Sequence, residues 1–146
     1  MMYKEYYMER NEIHSYTIDE FRTQIKRFFF SCIGEITAGK IELLNDGINI
    51  KYGHNDSCDW EDLNYIKYPF TMDNWNKFVE KIFNINIHKW NKNYRPKIFG
   101  TCGVNWLVEI EFKNFNKIEC SGYNEYPYNW EKFQKIIREF FPQMEY

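Results

Sequence analysis

A single alanine, Ala38, stands in a chain of 146 residues that also holds only seven glycines and four prolines. With so few small and ring-locked residues there is no flexible linker, no proline-rich stretch and no low-complexity segment. No apolar run approaches the roughly 18 residues that a bilayer-spanning helix needs. The first eleven residues are polar and aromatic, without the apolar core of a secretory signal, so the expectation is a cytoplasmic protein with no membrane partner. Cys32, Cys58, Cys102 and Cys120 lie far apart. That spacing fits reduced thiols better than a disulfide framework. Neither GxxxxGK[ST] nor GxGxxG occurs, which removes the usual glycine-rich phosphate cradles. No cofactor is expected.

What the chain has in excess is rings: 13 Phe, 12 Tyr and 5 Trp. Phe, Tyr, Asn, Ile and Lys are the residues that an A+T-rich genome supplies freely, and Ala, Gly, Pro and Arg are those it starves. Aromatic abundance is therefore no evidence of function by itself. A chain of this length fits one domain, residues 1–146, and buries about two thirds of the surface its unfolded form exposes. Residues 1–12 read as a loosely held arm. The net charge of −2 argues against tight, sequence-independent nucleic-acid binding over the whole surface. The distribution is uneven, with 13 acids and 8 bases in residues 1–73 against 8 acids and 11 bases in residues 74–146.

Thr17-Ile18-Asp19-Glu20 has the spacing of a capping box and predicts a short helix or turn. A strand over 25–33 follows from the β-prone run around Phe28-Phe29-Phe30. Lys40 to Leu44 and Ile48 to Tyr52, joined through Asn45-Asp46-Gly47, read as a hairpin, with Ile48, Ile50 and Tyr52 alternating against polar residues. Residues 63–68 are a further strand candidate. A helix over 72–83 places Trp75, Phe78, Val79 and Ile82 on one face. The second half repeats the pattern, with an alternating strand over 106–112, a turn at 114–116, a return strand over 117–121 and a helix over 129–141. Trp130, Phe133, Ile136, Ile137 and Phe140 form that helix's inward face. Asn74-Trp75-Asn76-Lys77-Phe78 also aligns with Asn129-Trp130-Glu131-Lys132-Phe133, which points to two hairpin–helix units. The expected fold is α+β, an antiparallel sheet of about five or six strands with two amphipathic helices on one face.

The second half carries a resemblance. Trp90 to Tyr94, then Gly103-Val104-Asn105-Trp106-Leu107-Val108-Glu109-Ile110-Glu111-Phe112, then Ser121-Gly122-Tyr123-Asn124-Glu125-Tyr126-Pro127, is similar to a group of small Firmicutes-type proteins. Their pattern runs Trp…Tyr, then DGxxW with an alternating strand, then GSNxYP before a final helix. The likeness covers 85–140 well and 25–55 loosely. The chain departs from it at Cys102, where the pattern has Asp, and at Tyr123, where it has Ser. The resemblance implies the same α+β fold and a bacterial or phage origin, and it supplies no catalytic residue.

Two segments stand out as binding candidates. The loop from His54 to Asp62 holds Asp56, Asp59, Glu61 and Asp62 around Trp60. Close carboxylates repel one another, a basic partner relieves that repulsion, and a Trp among them is a natural anchor. The opposing reading is a solvated loop with Trp60 folded inward. The second segment, 88–97, interleaves Lys89, Lys92, Arg95 and Lys97 with Trp90 and Tyr94. Bases among rings suit single-stranded nucleic acid. Against this, rings four residues apart also pack inward and leave their lysines as a wet fringe.

Enzyme chemistry finds less support. His54 and Cys58 lack two further ligands at zinc spacing, so no metal site is expected. Cys102 lacks a recognisable activating base. Glu109 and Glu111 share one face of a strand, an arrangement that suits acid–base work but is also that of a solvated sheet face. The sequence reading is a non-enzymatic protein-binding inhibitor of toxin-immunity or anti-defence (anti-CRISPR-like) type. Its partner would be a basic surface on a nuclease, CRISPR effector or other nucleic-acid-handling protein. A nucleic-acid or nucleotide binder using 88–97 is the alternative, and a small cysteine- or metal-dependent enzyme is the third class.

Overall fold

A computed structural model of the chain describes residues 15–34, 38–57, 64–95 and 103–144. The proposed arm at residues 1–12 lies outside them. Helix α1 spans Ile18–Thr23, held by the expected capping box: Glu20 N–H donates to Thr17 Oγ1 at 3.2 Å, and Thr17 N–H donates to Glu20 Oε1 at 3.3 Å. It stops after six residues, where the β-prone run begins.

Strand β1 (Ile25–Ile33) is the centre of the sheet, paired antiparallel with β2 (Ala38–Asn45) on one side and β6 (Asn105–Phe112) on the other. β3 (Ile50–Asn55) and the short β4 (Ile66–Tyr68) extend the first side; β7 (Lys117–Tyr123) and the two-residue β5 (Asn93–Tyr94) extend the second. The order is β4-β3-β2-β1-β6-β7-β5.

The architecture is α+β, as expected, with two corrections. Seven strands form the sheet: the candidate at 63–68 is present as β4, and the additional strand is the two-residue β5, too short to show alternation. The sheet is also mixed, since β5 runs parallel to β7. The two hairpins β2–β3 and β6–β7 flank β1 and do not meet each other. A third, smaller correction concerns Ile48. It sits in a four-residue turn at 46–49, where Asp46 Oδ1 accepts from the backbone of Ile48 at 2.8 Å and of Asn49 at 2.7 Å, so β3 starts at Ile50.

Strand alternation sends Phe28, Phe30, Ile41, Leu43, Tyr52, Trp106, Val108, Ile110, Ile118 and Cys120 to one face. There α2 (Met72–Asn84) and α3 (Trp130–Phe140) cover them with Trp75, Phe78, Val79, Ile82, Trp130, Phe133, Ile136 and Ile137, all buried. Edge-on ring contacts fix the packing: Phe28 meets Phe78 at 4.8 Å and Phe30 meets Phe133 at 5.1 Å between centroids. Of the letters shared between the two helices, Trp75 with Trp130, Phe78 with Phe133 and Ile82 with Ile137 are buried, while Lys77 and Lys132 are exposed.

Candidate binding groove at the loop end of the sheet

Strand direction sorts the connections into two ends. Ile33 lies beside both Ala38 and Asn105, Asn105 faces Tyr123, and Lys40 faces Asn55. The connections 34–37, 56–65, 95–104 and 124–129 therefore all leave from one end. The opposite end carries the four-residue turns 46–49 and 113–116. Long connections on a rigid sheet are where binding residues collect.

A groove of about 560 Å³ opens at this loop end, lined by Cys32, Val104, Tyr126, Pro127, Tyr128, Trp130, Glu131 and Gln134. Its rim is pinned. Gly122 has no Cβ, which lets the indole of Trp106 lie against it, and Trp106 Nε1–H donates to the Glu125 carbonyl at 2.9 Å. Asn124 takes a left-handed φ of 55° and exchanges two bonds with Val104: its N–H donates to the Val104 carbonyl at 3.0 Å, and its Oδ1 accepts from Val104 N–H at 2.8 Å. Trp130 N–H donates to the Pro127 carbonyl at 3.1 Å and starts α3.

The groove's rings differ in exposure. Trp130 is buried under Tyr126, whose centroid lies 5.1 Å away, and Tyr126 is 37% exposed. Tyr128 stands out at 89% exposure. Burial, with the neighbouring Cys32 and Glu125, pushes the Tyr126 phenol above its ordinary value. Cys32 forms the buried floor. A second hollow of about 420 Å³ lies beside β6 and β7, lined by Arg95, Asn105, Trp106, Leu107, Ser121, Gly122 and Tyr123.

The segments singled out in the sequence meet this end in part. Asp56 is exposed at the end of β3, with Oδ1 3.0 Å from Nε2 of the buried His54. Asp59, Trp60, Glu61, Asp62, Cys58, Cys102 and Lys97 lie outside the described residues. Lys89, Lys92 and Arg95 are exposed. Their interleaved rings face inward: Trp90 is buried and donates Nε1–H to Asn129 Oδ1 at 2.9 Å, while the half-buried Tyr94 hydroxyl accepts from Asn91 N–H at 2.8 Å.

Glu109 and Glu111 belong to an ion-pair network on the helix-free face. Arg27 reaches Glu42 at 2.8 Å, Glu109 at 3.2 Å and Glu111 at 3.8 Å, and Lys117 reaches Glu109 at 3.2 Å. Among the described residues no group of three metal-ligating side chains comes together, and no helix is long and apolar enough to cross a membrane.

Sequence reasoning missed the groove because 122–127 read as an ordinary loop. The available signal was Tyr128, a large ring outside the inward set of α3.

No protein-family model, curated protein or solved structure matches the chain.

Proposed function

We propose that the protein is a non-enzymatic binding module of bacterial or phage origin, an inhibitor of the toxin-immunity or anti-defence type. Its loop end would engage a basic surface on a nucleic-acid-handling protein. One observation carries this reading: the aromatic groove and the root of the acidic segment at Asp56 emerge from the same end of one sheet. Exposed Tyr rings at a concavity are common energetic anchors of protein interfaces, and flanking charge of one sign steers a partner of the other. From β3 to β1 is two strand intervals, about 10 Å, so groove and acidic root fit within one interface of ordinary size.

The test is purification of the tagged protein from its source cells at moderate salt, with the bound protein identified by mass spectrometry. The reading predicts a basic partner whose nucleic-acid activity falls on stoichiometric addition. Replacing Asp56, Asp59, Glu61 and Asp62 by Lys abolishes the association without unfolding the chain. Binding that survives this reversal contradicts the assignment of the acidic segment.

The alternative, a nucleotide or nucleic-acid binder, draws support from the second hollow, where Arg95 stands beside Tyr123 and Asn105. It predicts that oligonucleotides are retained at low salt, are lost steeply as salt rises, and are weakened by Arg95→Ala.

A further inference from the structure

The groove selects for one sign of charge. Glu131 is the single charged side chain among its described lining residues. The exposed rings of Tyr126 and Tyr128 present negative faces, which attract a cation placed over them, while Trp130 supports Tyr126 from beneath. Glu125, exposed next to Tyr126, adds a second carboxylate at the rim. One effect opposes these. The groove abuts the start of α3, and a helix N-terminus carries the equivalent of about half a positive charge. Three of the amides there are already taken: Trp130 N–H by the Pro127 carbonyl, and Lys132 and Phe133 N–H by the Asn129 carbonyl. A full carboxylate outweighs a half charge whose donors are mostly occupied.

We propose that this groove receives a cationic side chain, arginine or lysine, from the protein partner, with Tyr126 and Tyr128 as the ring platform and Glu131 as the counter-charge. The inference rests on the protein-binding reading above and names the chemistry that the partner brings. Two exposed rings beside one carboxylate favour arginine, whose flat guanidinium stacks and pairs at once.

The test needs no partner. N-acetyl-arginine amide is titrated into the full chain while the indole N–H resonance of Trp130, assigned with Trp130→Phe, is followed by NMR. N-acetyl-lysine amide and N-acetyl-glutamate amide serve as the comparison ligands. The expected result is a saturable shift with arginine, a weaker one with lysine and none with glutamate. Glu131→Gln and Tyr128→Ala each weaken arginine binding by about fivefold. Both positions are exposed, so the rest of the spectrum stays in place and reports an intact fold. An equal response to glutamate, no response to arginine, or indifference to Glu131→Gln overturns the inference. If the tagged protein still captures a basic partner while the titration stays silent, the cation site fails and the protein-binding reading stands. If no partner is found while the titration succeeds, the reverse holds.

Discussion

The indole Nε1–H of Trp90 donates to Asn129 Oδ1 at 2.9 Å, and the amide of the same Asn129 donates to the Ile85 carbonyl. Asn129 occupies the cap position of α3 yet makes no side-chain cap bond, because both ends of its amide tie down the segment that follows α2. One buried side chain thus joins the 85–90 stretch to the start of the helix that borders the groove. Asn129→Ala leaves a buried indole N–H without an acceptor, a loss of about 2 kcal/mol. Urea unfolding should show that drop.

His88 stacks on Phe83 at 4.6 Å, with Phe21 and Tyr16 edge-on to it, and its buried Nδ1 has no hydrogen-bond partner among the described residues. Burial, aided by Lys89, holds its pKa below the ordinary 6.5. The unfolded chain therefore binds this proton more readily than the folded one. The contribution of His88 is fully present above pH 6.5 and diminishes as pH falls below that value toward the folded pKa. His88→Phe should flatten the stability profile over that window, measured as melting temperature against pH in parallel with the parent chain.

Phe115 adopts a φ of 70° in the β6–β7 turn and is 89% exposed. A bulky residue pays about 1 kcal/mol or more for that left-handed backbone, which Asn tolerates. The compensating contact, from the half-buried Lys26 with Nζ at 5.5 Å from the centroid of the exposed ring, is worth about 0.5 kcal/mol. The backbone term wins. Phe115→Asn should raise the melting temperature by about 2 °C, and an unchanged or lower value would show that the ring earns its place.

Gly122 has no room for a side chain. An added Cβ would collide with Trp106 Nε1 and lie 2.5 Å from the Glu125 carbonyl, the two partners of the bond that pins the groove's rim. Gly122→Ala should cost about 2–3 kcal/mol by overpacking, and it should move the Trp106 indole resonance, a local signature that a general loss of stability does not give.

Much of the fold was legible because its signals are local. Thr17 and Glu20 announce the helix start, Trp106 to Phe112 alternate with period two, and Trp75, Phe78, Val79 and Ile82 recur with the helical period. The central place of β1 was not legible, since Phe28-Phe29-Phe30 shows no alternation. Phe29 faces the helix-free side and is covered by the Arg27 guanidinium at 4.9 Å, two residues back on the same strand. The groove escaped for a related reason. Cys32, Val104 and the 126–131 stretch are far apart in sequence and meet only because the ends of β1 and β7 lie beside the starts of β6 and α3. The 88–97 segment shows the converse. Its composition pointed to nucleic acid, while the spacing of Trp90 and Tyr94 reflects packing on Asn129 and Asn91.

The most direct test of the binding end is amide hydrogen exchange on the protein with and without the partner it captures. The account predicts added protection at 103–106 and 123–131, with the turns 46–49 and 113–116 unchanged. Protection confined to those two turns, or to the exposed faces of α2 and α3, would place the interface elsewhere and contradict it.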